Sequence, residues 1–310
     1  MSRALFECVP NYSEGRRAEV IRRILSPFRS RPGLHLLDHR ADPDHNRLVV
    51  TLAGEAGPLQ DALLESASAA IECIDLRVQT GEHPRIGAVD VIPFVPLRGA
   101  GMEDAVSLAR SFAARYARET RVPVYLYEEA ALRPERRNLE NVRRGQFEAL
   151  LTEASFPGRA PDFGPGALHP SAGATAIGAR QFLIAFNINL ESTDLALARR
   201  IARKIRASSG GLPCVKAVGV ELRERGLVQV SVNLTDYKIT PASTVLDAVR
   251  AEAGQAGVSV LETELYGMVP AAALLQEAAR GLKAAGFHQS QVLDLRLLDL
   301  SDGSKDTPCR

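Results

Sequence analysis

The chain has almost no net charge, few lysines, no close cysteine pair and no long apolar run, and each shortage removes a class of function. Among 310 residues, 38 basic side chains stand against 37 acidic ones. The basic excess that displaces counterions from nucleic-acid phosphates is therefore missing. No stretch approaches the roughly 18 uncharged residues of a membrane span. The opening MSRALFECVPNYSEG lacks the apolar core and cleavage site of a secretory signal. Neither nucleic acid nor a membrane is an expected partner. The four cysteines, Cys8, Cys73, Cys214 and Cys309, lie far apart without a CxxC pair. That pattern argues against a disulfide framework and a structural zinc site, and it suits a reducing cytoplasm. Lysine occurs only at Lys204, Lys216, Lys238, Lys283 and Lys305. Arginine supplies the remaining positive charge, and its planar fork matches carboxylates.

What is present is an ordinary globular composition, 45% apolar and 24% charged, long enough for two compact units without staples. Residues 3–9 predict a strand, and Val20, Ile21, Ile24, Leu25 and Phe28 then recur at helical spacing. Strands are expected at 34–39 and 47–53 around the polar turn Ala41-Asp42-Pro43-Asp44. A helix carrying Leu59, Leu63, Ala67, Ala70, Ile71 and Ile74 on one face follows, then a strand at 88–94. The order β-α-β-β-α-β is the split arrangement of ferredoxin-like domains. A helix near 102–118 and a strand at 123–127 extend it, and the proline- and glycine-rich stretch 155–178 reads as a long functional loop or linker. The pattern then repeats: a strand at 181–189, a helix with Leu197, Ile201 and Ile205, and strands at 215–222 and 227–234. Thr240-Pro241 opens a further helix, with the threonine as cap and Val245, Leu246 and Val249 as its apolar face, and a strand at 258–264 closes the unit. The expected class is α/β (α+β), with two ferredoxin-like βαββαβ subdomains and a cleft between them. The divisions are 1–178, 179–300 and a polar tail over 301–310. Such clefts are favoured places for small-molecule sites.

The densest chemical cluster is Gly81-Glu82-His83-Pro84-Arg85-Ile86-Gly87-Ala88. Proline after histidine withholds an amide donor and biases His83 away from helical geometry, and the glycines permit close approach. A histidine held this way, with a glutamate and an arginine within two positions, suits proton transfer at neutral pH. A surface turn with a solvated ion pair is the plainer alternative. No spacing among the six histidines suits zinc. His35 and His39 read as packed or edge residues of a strand, His288 as surface, and His45 and His169 as either structural or functional. Asp38, Asp42, Asp44, Asn46 and Arg47 form a polar cluster that turn chemistry alone would explain. Cys8 ends an apolar strand and reads as buried and inert, while Ser13 could cap a turn. No Rossmann or Walker fingerprint occurs.

Taken together, several segments resemble the glutamate formiminotransferase (formimidoyltransferase) family. They include ECVPNYSEGRR at 7–17, LLD at 36–38, NR at 46–47, GEHPRIGAVDVIPFVP at 81–96, PVYLY at 123–127 and PDFGP at 161–165. FLIAFNINL at 182–190, KAVGV at 216–220, QVSVNLTD at 229–236 and YGMVP at 266–270 continue it, in register over almost the whole chain. The resemblance implies transfer of the formimino group of N-formimino-L-glutamate to N5 of tetrahydrofolate, a co-substrate, with no metal. It implies His83 as catalytic acid/base. It also implies a folate-binding segment at Gly164-Pro165-Gly166-Ala167-Leu168-His169-Pro170-Ser171-Ala172-Gly173. Asp38, Asn46, Arg47, Glu82 and Arg85 are supporting candidates, the two arginines for substrate carboxylates. A homodimer and a separate cyclodeaminase acting on the product are further expectations. Relatives often carry a histidine where this chain has Gln79, which can only hydrogen-bond. The competing readings are an N-formylglutamate-dependent formyltransferase on the same fold and a noncatalytic folate-binding protein.

Overall fold

Pro10 interrupts the first strand. The run expected over 3–9 is β1 (Leu5–Cys8), and a second short strand, β2 (Asn11–Tyr12), follows in what reads as a turn, the two separated because proline has no N–H to give the ladder. This computed structural model describes residues 4–81, 83–153 and 155–295. Glu82 and the expected polar tail 301–310 lie outside the described residues. Helix α1 (Ala18–Leu25) buries Val20, Ile24 and Leu25. The hairpin of β3 (Leu34–Asp42) and β4 (Arg47–Glu55) is longer than its sequence suggests. Ala41 and Asp42, expected in the turn, pair with Leu48 and Arg47. After α2 (Ala56–Cys73) comes β5 (Val89–Pro96). The strands lie in the order β3-β4-β1-β5, with β2 continuing β1 between β4 and β5, and all these pairings are antiparallel.

An extension follows: α3 (Met102–Thr120), β6 (Val124–Glu128), α4 (Leu139–Val142), α5 (Gln146–Glu153) and β7 (Thr175–Ala179). The stretch 155–178, expected to be loop, thus ends inside a strand. β7 inserts between β5 and β6, parallel to both, and all five of its residues are buried. A strand covered on both faces has no polar alternation to betray it, and the small residues of Thr-Ala-Ile-Gly-Ala are poor strand formers. Helix α2 packs on β4 and β5, α3 on β5, β6 and β7, and α1 on α2. Phe94 meets Phe112 edge-on with centroids 5.5 Å apart, and Tyr116 donates to or accepts from Thr175 at 2.9 Å.

The chain divides into two compact units between Gln181 and Phe182, beyond the end of β7. The second unit comprises β8 (Ile184–Leu190), α6 (Leu195–Ile205), β9 (Val215–Leu222), β10 (Leu227–Leu234), α7 (Ala242–Gln255), β11 (Val260–Tyr266) and α8 (Ala271–Gly281). Its strands run β11-β8-β10-β9, all antiparallel. Counted by occurrence, each unit therefore places its first strand between its third and fourth, with the second at the edge. Thr240 does not cap α7. Pro241 takes that position, and the threonine hydroxyl donates to the Pro213 carbonyl at 2.5 Å. Among the described residues no helix is long and apolar enough to cross a membrane.

Candidate active site

Four loops of the first unit meet around His83. Ser13 reaches residues 86–88 twice: its hydroxyl donates to the Gly87 carbonyl at 2.7 Å and its N–H to the Ala88 carbonyl at 3.0 Å. The β3–β4 turn is tied in by one amide. Asn46, buried and in the left-handed region at φ 48°, accepts from the Gly15 N–H and donates to the Thr80 carbonyl, both at 2.8 Å. Asparagine is the residue best suited to that backbone after glycine. The fourth loop is the anchor of the expected folate segment. Ala88 N–H donates to Ala172 and Ala174 N–H to Ile86, both at 2.9 Å. The backbones run so close that a Cβ on Gly87 would sit 1.9 Å from the Ala174 carbonyl oxygen, and one on Gly173 2.1 Å from that of Ile86. Only glycine fits either place.

His83 sits partly buried in a ring of positive charge. Burial, followed by Arg47, Arg143, His45 and Arg85, lowers its pKa from 6.5 to about 2, since both low polarity and nearby cations disfavour imidazolium. Three of these side chains are held by carboxylates. His45 Nδ1 pairs with Asp42 at 2.9 Å. Arg85 is buried and its fork grips Glu148, at 2.9 and 3.1 Å, while its Nε donates to Gln79 Oε1 at 2.7 Å. Arg143 pairs with Asp90, only 1% exposed, whose other oxygen accepts the Ile86 N–H at 2.8 Å. The imidazole is therefore neutral at pH 7, and its surroundings resist its protonation until nearby positive charge is offset.

The structure brings His83, Asn46, Arg47, Arg85 and residues 168–173 of the expected site together. Gly164, Pro165, Gly166 and Ala167 form an exposed arm, whereas Leu168, Ala172 and Gly173 are buried. His169 serves the turn itself: its Nδ1 accepts the Ala172 N–H at 3.0 Å, and its backbone exchanges two hydrogen bonds with Gly173. Asp38 stands apart, on the edge strand about 13 Å along from Asp42 by strand rise, facing Arg40 at 3.6 Å. His35 and His39 are exposed on that same strand. Sequence reasoning missed Asp90, Arg143 and Glu148. Asp90 did leave a signal, as a lone acid in the apolar run Ala88 to Phe94, since a buried charge demands a partner. Among the described residues no three His, Cys, Asp or Glu side chains are grouped to hold a metal.

Residues 5–180 match the profile of the formiminotransferase domain, N-terminal subdomain, and residues 185–289 that of the formiminotransferase domain. The chain is 40% identical to the glutamate formimidoyltransferase of Streptococcus pyogenes serotype M1, covering 95% of this chain and 99% of that one. It is 42% identical to the glutamate formimidoyltransferase of Thermoplasma acidophilum over 95% of this chain and 97% of the other. Against the formimidoyltransferase-cyclodeaminase of Rattus norvegicus it is 45% identical, covering 89% of this chain but 52% of that protein. With both family profiles matched in order, and two relatives aligned nearly end to end, the chain belongs to the glutamate formimidoyltransferase family.

Proposed function

We propose that this protein transfers the formimino group of N-formimino-L-glutamate to N5 of tetrahydrofolate, with His83 as the group that moves the proton. The observation that carries the reading is a neutral imidazole set among arginines in the loop that hydrogen-bonds residues 172–174. Folate N5 attacks the formimino carbon and the C=N bond becomes a C–N single bond. His83 takes the N5 proton and returns it to the glutamate nitrogen. The bond from that nitrogen to the formimino carbon then breaks, glutamate leaves as an amine, and the C=N bond re-forms on folate. One imidazole acts first as base and then as acid, a step worth about 10² to 10⁴ in rate. The donor brings two carboxylates into the cationic ring. Their charge offsets that of Arg47 and Arg143, so donor binding raises the basicity of His83 as the proton must be taken.

The segment 164–173 is the proposed seat of the folate, its exposed arm free to meet the pterin and its buried part fixed to the catalytic loop. The same reading takes the working form as a cytoplasmic homodimer whose product passes to a separate cyclodeaminase. Steady-state rates with N-formimino-L-glutamate and with N-formyl-L-glutamate, each with tetrahydrofolate, test the donor. Faster turnover of the formyl donor overturns formimino transfer, and no turnover of either removes the enzyme reading.

A further inference from the structure

The turn that carries Arg143 is fixed from several directions. Its N–H donates to the Leu139 carbonyl at 2.9 Å, and its own carbonyl accepts the Gln146 N–H at 2.8 Å. Arg159 clasps the same turn, donating to the Asn141 carbonyl at 3.1 Å and the Arg144 carbonyl at 2.6 Å. Phe147 N–H then joins the turn to the Arg85 carbonyl at 3.0 Å. From this base the Arg143 side chain reaches Asp90, which holds one arm of its fork and also accepts the Ile86 N–H, three residues after His83. Asp90 cannot swing away, because its second oxygen is engaged by the Ile86 N–H. Among the described residues, the Arg143 Nε is out of contact with solvent and has no hydrogen-bond partner. A buried guanidinium N–H without an acceptor is uncommon in folded proteins, and guanidinium meets carboxylates through adjacent donors.

The chemistry of the donor says which carboxylate belongs there. In N-formimino-L-glutamate the nitrogen that departs is bonded to the α-carbon, which also bears the α-carboxylate. Wherever His83 protonates that nitrogen, the α-carboxylate oxygens lie within about 4 Å of it by bond lengths alone. The γ-carboxylate is two methylenes farther away. The glutamyl carboxylates of the folate are beyond its aminobenzoyl ring. Arg85 already has its fork filled by Glu148.

We infer that Arg143, braced by Asp90, receives the α-carboxylate of the formimino donor. The inference rests on the formimino-transfer reading, and it makes Arg143 a specificity-determining residue and Asp90 a positioning residue. The test compares N-formimino-L-glutamate with N-formimino-4-aminobutyrate, which lacks only the α-carboxylate. Arg143→Met is expected to lose at least about 30-fold in kcat/KM for the full donor, the low end for removing one side of a buried charge pair. It should lose clearly less for the truncated donor, where only its effect on the His83 ring remains, and leave the KM for tetrahydrofolate unchanged. Arg143→Lys keeps charge without the fork and should restore only part of the difference. Asp90→Asn keeps an acceptor for Ile86 and should raise the KM for the full donor while sparing kcat on the truncated one.

Calorimetric binding of the product L-glutamate provides a readout free of turnover. Binding by the parent that is lost in a folded Arg143→Met variant supports the inference. Equal binding by both overturns it, as does an equal rate loss on both donors. Absence of turnover by the parent with either donor sinks the formimino-transfer reading, and the glutamate titration then judges Arg143 by itself.

Discussion

The same hairpin is built twice and used in opposite ways. In the first unit, the β3–β4 turn is drawn into the protein by Asn46 and delivers His45 and Arg47 to a partly buried imidazole. In the second unit, the turn between β9 and β10 stays at the surface, and Arg225 folds back onto Glu262 and Glu264 of β11 at 2.5 and 3.1 Å. Behind those carboxylates Asn189 and Gln229 complete a satisfied polar row. Strand order does not decide which copy carries chemistry. The difference comes from the first unit's extra elements, α3 through β7, whose connections bring in Arg143, Glu148 and residues 168–174. It also comes from arginines whose charge acts on one imidazole even though carboxylates hold Arg85 and Arg143 in place.

Breaking the first side of this comparison at its centre has the largest expected effect. His83→Ala should reduce kcat by about 10² to 10⁴ with an unchanged thermal midpoint, measured by stopped-time assays and calorimetry on the same preparation. Next is the close approach behind it. Gly173→Ala places a Cβ against the Ile86 carbonyl at a positive φ of 71°, and should destabilise by more than about 2 kcal/mol in urea unfolding. The second unit supplies the contrast. Gly254 lies in α7 with open space around it, so Gly254→Ala should leave stability unchanged or raise it by up to about 1 kcal/mol.

A pH series sharpens the electrostatic half. Below pH 6.5 the unfolded chain protonates its histidine, while folded His83 refuses the proton until about 2. The native state therefore loses stability as the pH falls through 6.5. The slope from this group is at most about 1.4 kcal/mol per pH unit, reduced by its partial exposure. His83→Asn should flatten the fall in thermal midpoint between pH 7 and pH 5, and an unchanged slope would show that the ring is not held neutral. The smallest effect is expected at Arg225, whose ion pairs lie in solvent, where screening leaves them little weight. Arg225→Ala should leave turnover and the unfolding midpoint nearly where they were.

Most elements were legible because amphipathic spacing is a local property. Val20, Ile24 and Leu25, or Leu197, Ile201 and Ile205, are buried as their spacing requires. The strands at 215–222 and 227–234 were also readable end to end. Three features were not. Strand β7 is short, small-sided and buried on both faces, so no period marks it. The β3–β4 hairpin runs on through Ala41 and Asp42, whose place beside Pro43 in a polar stretch reads as a turn. Thr240 has a cap's sequence position, but a carbonyl 27 residues earlier in the chain captures its hydroxyl. At the site, His83, Asn46 and Arg47 stood out through their neighbours in sequence. Arg143 and Glu148 did not, because their partners Asp90 and Arg85 are 53 and 63 residues away.

The single amide of Asn46 has a chemical lifetime. Spontaneous hydrolysis to aspartate would turn its Nδ2 donor into an oxygen facing the Thr80 carbonyl, so repulsion replaces attraction where three loops are sewn together. Ageing of the protein in storage would then begin at the turn that carries His45 and Arg47.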